Sequence, residues 1–486
     1  MLIAIAIAVV AVTVRLIAID QPYIDNWSWR QSDVAAIARN FYEHGFHFAY
    51  PQIDWAGDAP GYVGTEFPIL PFCAALSYKL WGVHEWIGRL QAVICFAVSL
   101  PFFFLLVCDI FGGVAATWAM FFYSFAPLSV VSSRAFMPDI PSLSLAVIGL
   151  YFFVRWIDRD EMKLLVVAAI AISLSVLIKL PTALIGLPLL FLVWEKWRWN
   201  FLRQPALWLF AAVALLPSAI WYWHAHEVAE TFYPHHFFGA GGIQIENFSW
   251  YAKIARQIVT STLTPLLFVV AVIGSFAAWR RKHAGFLYGW LAAMILFIIF
   301  VGYGNRHQWY QLPLVPIAAA FGGAGCAFLA SKFSHAPRTL IVLSILFVGS
   351  FGLLSFTYAH PVYRSRSSAE LRDLGLELKR ATPEGSLIIA ADNGDPTVFY
   401  YGERRGWHIL EEGGIYNGEP TDSEQAIVDL ENLRKRGATY LVFTTNTIWW
   451  LDYYKEFAQR VAQSATLIEA TAEFRIYKLN AAQDRP

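Results

Sequence analysis

Charge is scarce in this chain. Asp, Glu, Lys and Arg together make up 15% of its 486 residues, whereas 57% are hydrophobic. A soluble core has no use for that much apolar surface, so an ordinary soluble enzyme is excluded. Cysteine is scarce too. Of the four, Cys95, Cys108 and Cys326 lie within apolar runs and Cys73 is close to one, so there is neither a disulfide framework nor a zinc spacing. The redox compartment is left open. Residues 1–14 lack the basic start of a signal peptide and further spans follow, so they read as part of a retained first helix. There is no internal repeat and no low-complexity linker. The "GAGG" stretch, residues 239–242, has no strand before it and no Walker-type lysine after it, which makes it a flexible joint rather than a phosphate cradle. With a formal net charge of +0, the sum names no partner, and no nucleic acid is expected.

Long apolar runs are what the chain does have. Candidate membrane spans fall at about 1–19, 86–108, 112–132, 140–157, 163–179, 181–195, 207–224, 264–279, 284–302, 310–331 and 339–359, eleven in all. The run from Leu164 to Trp194 is too long for one crossing, and Lys179-Leu180-Pro181 divides it into two short helices meeting at a turn. Residues 67–82 form another apolar run, but Pro68, Pro71 and Lys79 favour an interfacial helix there. Many of the 20 Trp and 22 Tyr stand near the ends of runs, where amphipathic rings anchor in the membrane interface. One set of short loops collects Arg155, Arg159, Lys163, Lys196, Arg198, Arg203, Arg280, Arg281, Lys282, Lys332 and Arg338, against Arg134, Lys179 and Arg306 on the other side. Eleven against three puts the first set in the cytoplasm, with residues 20–66, the loop around 225–262 and everything after 360 facing outward.

After His360 the texture changes. Residues 368–381 and 422–435 read as helices, while "SLIIAAD" (386–392), "TYLVF" (439–443) and "EFRIYKL" (473–479) read as strands. The expected architecture is a polytopic α-helical membrane domain over 1–359, with interfacial helices in a first outer loop at 20–85, followed by an extracytoplasmic α/β domain over 360–486. The "DNGDP" turn, residues 392–396, has two readings: a polar-ligand site at a strand end, or a plain strand-to-helix turn with Asp395 near the helix start.

Chemistry enters with "WSWRQSDVAAIARNFYEHG", residues 27–45. Ser28 and Gln31 have capping-box spacing, and Val34, Ile37, Ala38, Phe41 and Tyr42 recur on one helical face, as suits a helix lying in the membrane surface. Arg30 and Asp33 are three apart and within reach of each other. Taken alone, they read equally as an acid at a helix start with its cation. Further charged groups widen the picture: Glu66 in "YVGTEFPIL", Arg134 and Asp139 in "SSRAFMPDIPS", and Lys179 and Arg306 in two more outward turns. Each one singly suits a solvated or snorkelling side chain. Together, carboxylates and cations expected on one face of a bundle suit transfer of a group from a lipid phosphate. A carboxylate takes the proton of an attacking hydroxyl, and Lys or Arg neutralises the departing phosphate.

The order "WRQSD", "AAIARNFYEHG", "GTEFPIL", "GVHEWIGRL", a "MPD" turn and "LIKLP" resembles the polyprenyl-phosphate-dependent glycosyltransferases of the GT-C superfamily. Within it, the chain looks like the bacterial relatives of protein O-mannosyltransferases and lipid A aminoarabinose transferases. The similarity covers residues 10–200, and thereafter rests on topology and "RHQWYQLPLVP", residues 306–316. The resemblance implies a catalytic acid in the first outer loop, for which Asp33 is the match. The aminoarabinose enzymes carry an Asp-Glu pair slightly earlier, where this chain has Arg30 and Gln31. Glu66 matches a Glu-x-Pro segment, with Phe67 standing where some relatives have lysine, and Asp139 matches an acid between the third and fourth spans. Lys179 and Tyr310 match positions resembling donor-phosphate contacts, with Arg306 and His307 as neighbours and Arg30 and Arg134 as further cations for the phosphate.

No cofactor is required by this reading. The four histidines and two glutamates of "HAHEVAETFYPHH", residues 224–236, are suitable ligands for a divalent metal, but their spacing fits no compact motif and an exposed loop accounts for them, so no metal is predicted. The expected protein is a glycosyltransferase of the bacterial inner membrane. It moves one sugar, with inversion, from a polyprenyl-phosphate donor to a lipid, polysaccharide or protein acceptor outside the cytoplasm, among membrane lipid. A transporter or lipid flippase with an outer receptor or lid domain is the alternative, although the repeat symmetry common in transporters is missing. A non-catalytic envelope scaffold is the third reading.

Overall fold

The computed structural model describes residues 2–232, 242–333, 335–412 and 415–480. They fall into two units, one of residues 1–19, 88–222 and 240–363, the other of residues 20–87, 223–239 and 364–486. The sequence boundary at 359/360 followed the end of the last apolar run. By density of contact, residues 20–87 group instead with the C-terminal residues.

The first unit is helical, and each of the eleven expected spans contains a helix. Among the described residues six stretches are long and apolar enough to cross a membrane, or seven when the pair Phe248–Thr262 and Pro265–Ala278, bent by 100°, counts as one. Five more apolar helices are shorter, Leu2–Leu16 and Met162–Ile178 among them. The chain is therefore a polytopic α-helical membrane protein, and its apolar runs divide into full-length and short helices rather than eleven equal spans. Small residues let three of these helices touch backbone to backbone. A Cβ on Gly274 would fall 1.7 Å from the Phe321 carbonyl oxygen, and one on Gly323 would fall 2.2 Å from that of Ala115. Helices Pro265–Ala278, Leu314–Lys332 and Gly113–Phe125 are fastened there.

The predicted break falls at Lys179. Helix Met162–Ile178 ends, Lys179 is extended at φ −152° and ψ 105°, and a 3-10 turn runs from Leu180 to Ile185. Pro181 disfavours helix at the residue before it and offers no N–H. Backbone groups freed by the break find a partner in the Tyr222 hydroxyl, which accepts from Leu180 N at 3.2 Å and donates to Leu177 O at 3.1 Å. Ser142 closes the other side, its hydroxyl 2.8 Å from Ser175 O and 2.6 Å from Thr182 Oγ1.

The second unit is built on a five-stranded sheet. Its strands are β1 (Leu387–Ala391), β2 (Arg405–His408), β5 (Tyr440–Thr444), β6 (Ala465–Ala470) and β7 (Phe474–Leu479), in the order β2-β1-β5-β7-β6; β3 (Glu411–Glu412) and β4 (Ile415–Tyr416) pair separately. β1 is parallel to β2 and β5, and β7 is antiparallel to β5 and β6. The apolar runs "LIIAA" and "YLVFT" belong to central strands covered on both faces. Ile388 and Ala390 pack with Leu374, Val398, Ile37 and Phe41, whereas Ile389 and Ala391 pack with Trp407, Leu430 and Phe457.

Helix Ser28–His44 begins where the sequence placed it, but the capping box does not form. Ser28 is already helical and bonds Ser368 and Asp395, and Gln31 reaches back to Asp25. Nor is the helix half exposed, as an interfacial helix would be, because Gln31 to Phe41 are buried without interruption. Its polar residues have protein partners: Ser32 bonds Thr397, Asn40 donates to Asp54, and Arg39 donates to Tyr400 O and to Asp54 Oδ2, the latter at 2.6 Å. Asp54 lies in a hairpin-like loop, residues 51–63, that adds to the free edge of β2 through Gly406 N to Asp54 O at 3.1 Å and Gly57 N to Gly406 O at 2.7 Å. Gly57 has φ +60°, and a Cβ there would fall 1.8 Å from the Trp407 ring, so no other residue fits.

Arg39 and Asp54 are both buried, so losing either partner strands a charge. Asp54→Ala is expected to destabilise the protein by about 3 to 5 kcal/mol and Asp54→Asn, which keeps an acceptor, by less. Thermal unfolding of the detergent-solubilised full chain reads both, and an unchanged midpoint in Asp54→Ala would show that the pair does not hold the loop.

Candidate active site

Two clusters carry the charged residues singled out by the sequence. The first lies in the sheet-containing unit. Arg30 and Asp33 share one face of helix Ser28–His44, and Arg30 Nη1 sits 2.9 Å from Asp33 Oδ2. The same guanidinium turns its other nitrogen to Glu66, 2.8 and 2.7 Å from the two carboxylate oxygens. Thr65 Oγ1 adds a bond of 3.0 Å to Glu66 Oε2. On the far side of Asp33, Trp55 Nε1 donates to Oδ1 at 3.3 Å. Two carboxylates thus share one guanidinium, and all three side chains are at most 13% exposed. Asp33 carries one donor on each oxygen, while Glu66 takes Arg30 on both and Thr65 as well. Arg30, expected among the phosphate-binding cations, is here the bridge between two acids.

The second cluster lies in the helical unit. Lys179, on the helix break, directs its ammonium at Asp139 Oδ1, 2.6 Å away. Asp139 opens helix Asp139–Arg159, where the N-terminal backbone N–H groups favour an anion. The ammonium is also 4.5 Å from the centre of the Tyr310 ring. Asp139 Oδ2 is buried without a hydrogen-bond partner. These three residues line a cavity of about 40 Å³ together with Thr182, Trp290 and Trp309.

Three further candidates also lie in the helical unit. Arg306 is exposed, 5.5 Å from the centre of the Tyr303 ring, and His307 stacks on Trp309 at 4.4 Å, four and three residues before Tyr310. Arg134 is buried, donates to Ala18 O and lies 4.2 Å over the Tyr363 ring. In the other unit the "DNGDP" turn takes its plain form, with Asp395 Oδ1 accepting from Thr397 N at 3.0 Å. Among the histidines of 224–236, His224 Nε2 is 2.8 Å from Ala49 O and His226 is 3.9 Å from Glu230, while His235, His236 and residues 239–241 of "GAGG" lie outside the described residues. Among the described residues no three His, Cys, Asp or Glu side chains are grouped to hold a metal ion. Trp55, Asp54 and Tyr222 were missed by sequence reasoning. Trp55 and Tyr222 act through one polar atom in an otherwise apolar context and Asp54 lies in a loop, so none leaves a periodic trace.

Residues 60–223 match the family model for dolichyl-phosphate-mannose-protein mannosyltransferase, a stretch that contains Glu66, Arg134, Asp139 and Lys179. No curated protein matches the chain. Among solved structures it is similar to ArnT from Cupriavidus metallidurans bound to undecaprenyl phosphate, at 16% identity over 98% of this chain and 97% of that one, with a TM-score of 0.67. The apo form of the same protein gives 17% identity over 99% and 98%, with a TM-score of 0.68. The oligosaccharyltransferase of Archaeoglobus fulgidus, in complex with Zn and sulfate, gives 13% identity over 96% of this chain and 71% of that one, with a TM-score of 0.65. The chain therefore shares the fold of these proteins along nearly its whole length.

The Lys179 cluster has a structural side that can be separated from any chemistry. Lys179→Met alone leaves Asp139 buried without its cation and is expected to cost about 3 to 5 kcal/mol, whereas Lys179→Met with Asp139→Leu recovers most of that loss. Unfolding midpoints of the two variants check it. A double variant no more stable than the single one would mean that the pair is not the unit of stability.

Proposed function

We propose that this protein is a glycosyltransferase that moves a single sugar from a polyprenyl-phosphate donor to an acceptor hydroxyl or amine outside the cytoplasm, inverting the anomeric carbon. The observation that carries the reading is the Lys179, Asp139 and Tyr310 cluster, lining a cavity in a helical bundle with the fold of a protein crystallised with undecaprenyl phosphate. A lipid monophosphate needs a fixed cation beside an apolar wall. Lys179, held by Asp139 and backed by the Tyr310 ring, is such a cation.

In the proposed reaction Asp33 takes the proton from the acceptor as its heteroatom bonds to the anomeric carbon. The bond from that carbon to the phosphate oxygen breaks, and its electron pair leaves with the polyprenyl phosphate. Lys179 neutralises the oxygen that gains charge. Arg30 keeps Glu66 and Asp33 apart in role: Glu66, tied by both oxygens, orients the acceptor, and Asp33 does the proton transfer. Because attack is direct and on the face opposite the departing phosphate, the product carries the inverted configuration. The membrane is the bacterial inner one, with the sugar delivered on its outer side, as the loop charges indicate. No step requires a metal.

The test is mass spectrometry of polyprenyl-phosphate sugars in cells lacking the protein, complemented with wild type or with Asp33→Asn. One species is expected to accumulate in the deletion and with Asp33→Asn but not with wild type, which names the donor sugar. A pool unchanged throughout, at normal expression, overturns the reading, and lipid translocation without sugar transfer would put a flippase in its place.

A further inference from the structure

Trp55 presents a polar group that packing alone does not explain. Its ring belongs to the apolar cluster formed by Ile37, Phe41, Ile388 and Phe399, where leucine or phenylalanine would serve as well. An indole differs from those by its N–H, which needs a partner when buried, and here the partner is Asp33 Oδ1 at 3.3 Å. The loop that carries Trp55 is fixed on both sides: its backbone joins the edge of β2 at Gly406, and the neighbouring Asp54 is held by Arg39. The indole itself is backed by His408, the last residue of β2, with ring centres 5.4 Å apart. His408 is positioned in turn. Its Nδ1 lies 2.7 Å from Asp392 Oδ1 at the end of β1, and Phe399 and Tyr416 flank its ring at 5.1 and 6.1 Å. Asp392 is wholly buried, its Oδ2 has no hydrogen-bond partner, and burial pushes its carboxyl up while His408 opposes that.

A buried acid held against a histidine is costly for a sheet that could close with apolar residues. The arrangement earns an explanation because it ends, through one aromatic ring, on the carboxylate assigned as base. We propose that Trp55 is a positioning residue for Asp33 and that the Asp392 and His408 pair of the C-terminal sheet locks its indole in place. The N–H fixes Oδ1 and, with Arg30 on Oδ2, sets the rotation of the carboxylate. The lone pairs left over then point in one direction. This assigns the C-terminal sheet a part in catalysis, as the rigid backing of the base, and it rests on the reading of Asp33 given above. The charged and titratable groups facing Asp33 are Arg30 from its own helix and Glu66 through Arg30; those facing the His408 ring are Asp392 and Tyr416.

The experiment uses the full-length chain added to membranes from the deletion cells, with consumption of the polyprenyl-phosphate sugar accumulated there followed from pH 5 to 9. Wild type and Asp33→Asn are run beside Trp55→Phe and His408→Asn; the phenylalanine keeps the ring and loses the N–H, and the asparagine keeps a donor for Asp392 and loses the ring. A carboxylate that loses a donor holds its proton to higher pH, so the acid limb of the Trp55→Phe profile is expected to move up by about one pH unit. Turnover falls roughly tenfold from lost orientation while KM for the donor stays within about twofold. His408→Asn is expected to move the limb in the same direction by less. A Trp55→Phe enzyme with the acid limb of wild type overturns the proposal even if its rate falls, because a loss of packing alone lowers the rate without moving the limb. Failure of the underlying reading shows differently: wild type then leaves the donor untouched, or Asp33→Asn consumes it at the wild-type rate, and either result removes the base and this proposal with it.

Discussion

A charge taken out of water inside a protein this apolar has to be shared with an opposite charge, and that constraint shapes both clusters. Arg39 is matched with Asp54, Arg30 with two carboxylates, and Lys179 with Asp139, all at 2.6 to 2.9 Å and nearly shielded from solvent. Where no carboxylate is at hand the cation is satisfied by dipoles and a ring. Arg15, fully buried, donates to Ala11 O and Ser124 O at 2.9 Å and lies 3.7 Å over Phe96. The difference between these solutions matters. A cation satisfied by carbonyls and a ring ties backbone together, whereas in the Lys179 pair Asp139 Oδ2 is buried without a hydrogen-bond partner and can accept from a donor.

Much of the helical unit was legible because hydrophobic length and proline position act locally. The break at Lys179 could be read from Leu180-Pro181 without any knowledge of its neighbours, and the structure adds only who satisfies the freed groups, Tyr222 and Ser142. Strands β1 and β5 were legible for the same reason, because buried central strands are continuous apolar runs bounded by turns, and β7 because its apolar and polar residues alternate. β2 was not, since "RGWH" has a charge, a glycine and a histidine in four residues, each explained only by what crosses it. Gly406 accepts the 51–63 loop, and His408 meets Asp392.

Helix Ser28–His44 shows why a correct local reading can still mislead. The pattern of apolar residues is that of an amphipathic helix, and its opposite face carries Ser32, Arg39 and Asn40, which sequence alone assigns to water. In the structure those polar groups are buried against Thr397, Tyr400 O and Asp54, partners 14 to 365 residues away. Periodicity separates polar from apolar faces; it does not say whether the polar face meets solvent or a matched protein surface. The capping-box spacing of Ser28 and Gln31 failed similarly, because both side chains found stronger acceptors in carboxylates, Asp395 and Asp25.

The two cations also illustrate why lysine and arginine are not interchangeable here. Arg30 presents a planar fork whose geometry suits two carboxylates at once, and both terminal nitrogens are committed to Asp33 and Glu66. A phosphate arriving at Arg30 would have to displace an acid and leave it unpaired in a shielded site. Lys179 carries its charge on a single atom with three rotatable donors, and that atom lies 2.6 Å from Asp139. On the proposed function the labour divides accordingly: the lysine meets the phosphate, and the arginine holds the two acids. Exchanging the two residue types would therefore disturb both duties, because lysine at position 30 cannot grip two carboxylates in one plane and arginine at position 179 would saturate Asp139 with a fork.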